Sequence, residues 1–168
     1  DFASVFQGIL RVAPSYLEAP MNAIRLWAHE CERVFSDRLV DDADRQWFQK
    51  KMRDSVVPDV FEVKWKDIMS GKSDEEPNST LPLMFGDYLN PNAEERQYVD
   101  VGRHGRHKLE QVMQNYLEEL NVSCGDGGMD IVLFQNALEH ISRISRILGQ
   151  KKGNALLVGV GGSGRKSL

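Results

Sequence analysis

Asn154-Ala155-Leu156-Leu157-Val158-Gly159-Val160-Gly161-Gly162-Ser163-Gly164-Arg165-Lys166-Ser167-Leu168 is a short apolar run feeding a glycine-rich loop. Gly159 and Gly164 stand at the G-x-x-x-x-G spacing, which lets backbone N–H groups turn inward around phosphate oxygens without Cβ clashes. A helix starting after the loop would add positive potential. The two following positions depart from the usual pattern. Arg165 stands where the phosphate-reaching lysine belongs, Lys166 where a Ser or Thr hydroxyl would hold magnesium, and Ser167 comes one residue late. The loop Gly159, Val160, Gly161, Gly162, Ser163, Gly164, Arg165, Lys166 and Ser167 is therefore expected to contact a nucleotide and to hydrolyse it poorly. A phosphate loop works at the start of a helix, and the sequence stops at Leu168, so the chain reads as a fragment.

Working outward, a helix, the expected strand Ala155–Val158 and the glycine loop make the opening of an α/β nucleotide-binding core. Two helices precede it. Leu109, Val112, Met113, Tyr116, Leu117 and Leu120 share one face; Leu133, Phe134, Ala137, Leu138, Ile141, Ile144 and Leu148 share another. Asp130 is the expected cap of the second helix and Gly149 its end. Cys124-Gly125-Asp126-Gly127-Gly128 reads as the turn between them.

The first third is helical. Phe2, Val5, Phe6, Ile9 and Leu10 form one stripe; Ile24, Trp27, Ala28, Cys31, Val34 and Phe35 form a second. Pro14 and Pro20 separate them, with Pro20 suited to a first helical turn, and Asp41 can cap a third helix carrying Trp47, Phe48 and Met52. A small helical bundle results. Val60, Phe61, Val63 and Trp65 form an ambiguous apolar patch, Ser70–Ser79 a polar surface loop, and Leu81–Leu89 an apolar anchor of irregular chain broken by Pro82 and Gly86.

Composition restricts the function classes. With 21 basic against 25 acidic residues and a net charge of −4, bulk affinity for nucleic acid is not expected. No apolar run nears the roughly 20 residues that cross a bilayer. Cys31 and Cys124 lie far apart in unlike contexts, which fits reduced thiols better than a disulfide framework.

Arg25-Leu26-Trp27-Ala28-His29-Glu30-Cys31-Glu32-Arg33-Val34-Phe35-Ser36-Asp37-Arg38-Leu39, then Pro82–Tyr88, then Leu133–Ile141, then the glycine loop, together resemble a dynein heavy chain. The resemblance covers nearly the whole chain. It implies a mostly α fold: residues 1–57 as the helical lid of the third AAA+ module, 58–100 as linker and anchor, and 101–168 as the start of the fourth module, cut at its phosphate loop. The Gly-Val-Gly-Gly-Ser-Gly-Arg form resembles axonemal dyneins more than the cytoplasmic motor, whose fourth loop keeps the lysine.

What the resemblance further implies is a six-module ATP-driven ring that walks toward microtubule minus ends, with these two modules regulatory. ATP or ADP with Mg2+ would be the ligand of the intact module, bound weakly or not at all by the fragment. Neighbouring AAA+ modules, intermediate and light chains and microtubules would be the partners, in the cytoplasm and cytoskeleton of a cilium or flagellum. Arg25 matches the lid arginine that reaches the third module's nucleotide, and Met129–Leu133 matches the adenine wall of the fourth.

Plainer readings stand beside these. From the residues alone, Arg25 with Glu30, Arg33 and Asp37 would form a solvated ion-pair face. His104 and His107, flanked by Arg103, Arg106 and Lys108, make an exposed helix start rather than a metal site. His29 and His140 read as ordinary surface or partly buried histidines, and Trp27, Trp47 and Trp65 as core. No nucleophile–base set and no paired carboxylates are present, so no catalytic residue is assigned. Another AAA+ or P-loop enzyme, a purely structural ring module and a regulatory GTPase remain as rivals.

Overall fold

The computed structural model describes residues 1–69, 82–124 and 128–160. The polar loop Ser70–Ser79, Leu81, residues 125–127 of the expected turn and Gly161–Ser167 of the glycine loop lie outside them. Seven helices are described: α1 (Phe2–Ile9), α2 (Pro20–Cys31), α3 (Asp42–Lys51), α4 (Val57–Phe61), α5 (Trp65–Met69), α6 (Gly105–Cys124) and α7 (Gln135–Leu148). Short 3-10 turns precede α2 and α6, and π-helical turns extend α2 through Ser36 and α3 through Val56.

Local chemistry explains several boundaries. Pro20 occupies the first turn of α2, where its missing N–H costs nothing. Asp41 caps α3 by accepting from the Asp44 N–H at 2.8 Å, with Asp42 and Asp44 at the positive end and Lys50 and Lys51 at the negative end. α7 differs from expectation. It starts at Gln135 with the extended Phe134 as its boundary residue and no side-chain cap, so Asp130 plays no part. The helix does end at Gly149, whose N–H bonds the Ser145 carbonyl at 2.9 Å.

Two strand expectations change. Phe85–Gly86 (β1) pairs antiparallel with Val99–Asp100 (β2), so the anchor segment is not wholly irregular. Ala155–Val158 is not a strand: it has no regular secondary structure and no ladder partner among the described residues, with Leu156 90% exposed and Val158 82% exposed. A strand exists only through its neighbours, and β1–β2 is the one ladder among the described residues.

Three apolar clusters form the interior. The first gathers Val5, Ile24, Ala28, Cys31, Val34, Met52, Val57, Ile68 and Leu83 within the helical bundle. The second joins Met84, Tyr88 and Val101 to Leu109, Val112 and Met113 of α6 and Leu138 of α7. Between them sit Val12, Leu26, Phe85 and Tyr98. Leu83, Met84 and Phe85 each enter a different cluster, so this tripeptide stitches the bundle to α6 and α7. A fully buried side chain such as Leu26 contributes about 1.5–3 kcal/mol by leaving water.

Not every apolar residue was placed as its pattern suggested. Trp47 is 65% exposed and belongs to no cluster, because α3 buries none of its residues. Of the first apolar stripe Val5 is buried and Ile9 packs against the first cluster, while Phe2, Phe6 and Leu10 are exposed. Val60 is also exposed; Phe61, Val63 and Trp65 pack against the first cluster. Among the described residues no helix is long and apolar enough to cross a membrane, and both cysteines are free thiols.

Candidate functional site: buried charges on α2 and the approach to the glycine loop

α2 is buried on nearly every side, so its polar residues must find partners inside. Arg25 and Glu30, five positions apart, leave the helix in different directions and meet different segments. Neither forms the solvated ion-pair face that their helical offsets suggest: Arg25 is 2% exposed and Glu30 is fully buried. Their partners lie far away in sequence.

Arg25 directs Nε and Nη2 to Asp100 Oδ2, each at 2.8 Å, and Nη1 to the Ile68 carbonyl. All three guanidinium nitrogens are engaged in this structure. Asp100, at the end of β2, also lies 3.2 Å from Arg103 Nε through its Oδ2, an ion pair without a hydrogen bond. Glu30 accepts from the Tyr98 hydroxyl at 2.9 Å and from Arg146 of α7, whose Nε lies 3.1 Å from Oε2 and whose Nη2 bonds the same oxygen. Burial works against the Arg146 charge, but the hydrogen bond and charge of Glu30 outweigh it and raise its pKa. Gly8 of α1 makes room, since a Cβ there would fall within the Glu30 carboxylate.

His29 was expected to be ordinary and is instead sealed at 2% exposure. Its Nδ1 lies 2.8 Å from the Leu83 carbonyl, which can only accept, so Nδ1 carries the proton. Nε2 faces the Tyr98 hydroxyl at 3.3 Å. Burial, followed by the Arg33 charge, holds its pKa well below the usual histidine range, and the imidazole is neutral. Burial and then Glu30 hold the Tyr98 hydroxyl well above the usual tyrosine range. The cluster is thus one carboxylate, one cation and neutral donors, fixed rather than poised for proton transfer.

Arg11 adds a third tie. It donates to Asp87 at 3.1 Å and to the Arg146 carbonyl at 3.0 Å, and it lies 4.1 Å above the Tyr98 ring. Arg11, Arg25 and Glu30 therefore all fasten the bundle to residues 87–146.

Of the glycine loop, only Gly159 and Val160 are described, and both are exposed. The structure brings Arg25 nowhere into hydrogen-bond contact with them. Met129–Leu133 is held by Asn121 of α6, which donates to the Met129 carbonyl at 2.8 Å and accepts its N–H at 2.7 Å. Ile131, Val132 and Leu133 then face α6 across a groove of about 490 Å³ lined also by His107, Glu110 and Gln114. His104 and His107 are exposed near the α6 start, and no group of three His, Cys, Asp or Glu side chains gathers among the described residues.

Tyr98, Asp100, Asn121 and Arg146 were not singled out from sequence, and Glu30 only as a member of a solvated ion-pair face. For Glu30 a signal exists: it lies in the run Ile24–Cys31, where apolar residues occupy most sides of the helix.

Comparison with known proteins fits this division. Residues 1–69 match the AAA+ lid domain, and residues 129–168 match the P-loop containing dynein motor region D4. Over its whole length the chain is 39% identical to dynein axonemal heavy chain 1 and, aligned over 174 residues, 40% identical to dynein axonemal heavy chain 12, both from Rattus norvegicus. It is 41% identical to human dynein axonemal heavy chain 2. The chain spans 3% to 6% of the length of these relatives. With both family models matched in this order, and about two-fifths identity from end to end, the chain belongs to the dynein heavy-chain family.

Proposed function

We propose that this chain is one stretch of the AAA+ ring of an ATP-driven, minus-end-directed microtubule motor of the axoneme. In this reading residues 1–57 are a lid, 58–100 a linker, and 101–168 the opening of the next module. Adjacent AAA+ modules of the same chain are its immediate partners. ATP or ADP with Mg2+ is held at a regulatory site by Gly159–Ser167, and Arg25 serves the nucleotide of the preceding module. Microtubules and the intermediate and light chains are engaged elsewhere in the parent protein.

The observation that carries the reading is the end-to-end identity to axonemal heavy chains, together with the match of residues 129–168 to a P-loop motor region. Its mechanical content comes from the buried ties. Glu30–Arg146 and Arg25–Asp100 fasten lid to neighbour, and the Glu30–Arg146 pair cannot separate without orphaning a charge in the interior. A rotation of either part is then passed to the other.

The loop is tested by restoring its usual residues. Arg165→Lys with Lys166→Thr, in the intact heavy chain with other sites blocked, supplies an ammonium for phosphate and a hydroxyl for magnesium. We expect tighter nucleotide binding with stronger magnesium dependence and little change in turnover. Identical affinity and metal dependence would favour a second reading, a structural ring module, which the arginine at position 165 already supports.

A further inference from the structure

We propose that Arg103 is a reserve partner for Asp100, so that Arg25 can leave the clasp without orphaning a buried carboxylate. Asp100 Oδ2 collects every cation contact: Arg25 Nε and Nη2 at 2.8 Å and Arg103 Nε at 3.2 Å. Oδ1 is buried and accepts nothing. Two guanidinium groups thus crowd one carboxylate oxygen while the other stands empty.

The two arginines are placed unequally. The Arg25 side chain is 3% exposed and locked from three nitrogens; that of Arg103 is 31% exposed and is anchored by one hydrogen bond, Nη2 to Asn22 Oδ1 at 2.9 Å. Arg103 Nε makes no hydrogen bond despite its proximity. A small rotation of Arg103 toward Asp100 would convert this contact into a charge-assisted hydrogen bond. Asn22 sits on α2, so Arg103 would keep the bundle fastened while doing so.

With both arginines present the cluster holds one excess positive charge beside the buried Tyr16 hydroxyl, which makes no hydrogen bond. Losing Arg25 from the carboxylate lowers that excess instead of creating an unpaired anion. The cost of withdrawing Arg25 is accordingly far below that of breaking an isolated buried pair. The consequence for nucleotide rests on the reading of Arg25 given above: the preceding site's phosphates and Asp100 compete for one guanidinium, and the clasp survives when the phosphates win.

Methionine replacements that keep the aliphatic stems test the exchange by urea unfolding of this chain. Arg25→Met alone should lower the folding constant by less than about tenfold and Arg103→Met by about twofold, because either arginine covers for the other. The double variant should fall by more than about a hundredfold, well beyond the product of the two. Adding Asp100→Asn should recover most of that loss, even where the double variant does not fold. Single effects that simply multiply, or a loss that Asp100→Asn does not recover, overturn the proposal. In the intact heavy chain, Asp100→Asn should tighten ATP at the preceding site severalfold. Unchanged affinity there, with the coupling intact, refutes the phosphate role of Arg25 and leaves the exchange standing.

Discussion

α2 and α3 are neighbouring helices of one bundle, similar in length and both carrying charge, yet α2 is buried with Arg25, His29 and Glu30 inside, and α3 has no fully buried residue and packs against the core through half-buried Phe48. The difference lies in where their partners come from. The charges of α3 are answered locally, by its own cap, by the Arg45–Asp42 pair at 2.8 Å and by water. Those of α2 are answered chiefly by Tyr98, Asp100 and Arg146, 68 to 116 positions away. Charge on a helix therefore says little about exposure until the distant chain is placed against it.

The largest effect should follow from removing Glu30. Glu30→Ala leaves Arg146 buried beside a cavity with no anion and strips Tyr98 of its acceptor, a loss of about 3–5 kcal/mol. On α3, Asp44→Ala should change stability by less than about 0.5 kcal/mol, as expected for an exposed residue away from any buried partner. Urea midpoints of the two variants measure the contrast. Comparable losses would mean that the Glu30 clasp carries no special weight.

The sequence made α3 legible because everything that positions it is local: Asp41 at the cap, acidic residues first, lysines last. Pro20 and Gly149 marked helix boundaries for the same reason. Trp47 misled because an aromatic residue on a helix is usually covered, and here no described segment lies over it. His29 and Arg25 misled in the opposite sense. Their helical offsets to Glu30, Arg33 and Asp37 suggested a wet surface, whereas Leu83, Tyr98 and Asp100 close over them. The glycine spacing is a pattern of backbone sterics, and the stretch that carries it matches a P-loop motor region over residues 129–168. Strand formation at Ala155–Val158 was not legible, since a ladder needs neighbours that hydropathy does not supply.

A second contrast between the helices should appear with pH. His29 has a folded pKa well below its ordinary value, so the stability tied to its neutrality is complete above about pH 6.5 and is lost as pH falls below that. The limiting slope is about 1.4 kcal/mol per pH unit. Glu32 acts oppositely: burial raises its pKa, so its contribution is largest in acid and declines as pH rises through the folded value. Stability measured from pH 7.5 to 5.5 should fall for the native chain and flatten for His29→Gln. A native profile that is flat and unmoved by His29→Gln would show that the imidazole is protonated in the interior.

A smaller and local effect belongs to the cap of α3. Asp41→Ala removes the acceptor of the Asp44 N–H and a negative charge at the helix start, which should lower stability by about 1 kcal/mol. The loss should arise in α3 itself. Hydrogen exchange is then expected to quicken in the first turn of α3 while amides of α2 keep their protection, because Asp42, Ala43 and Asp44 are exposed and only Phe48, farther along the helix, packs against the bundle cluster. Glu30→Ala should do the reverse, loosening α2 and α7 together across the Glu30–Arg146 bond. If Asp41→Ala instead speeds exchange in α2 as much as in α3, the two helices open as one unit. The separation between locally and distantly satisfied charge would then describe geometry without describing stability.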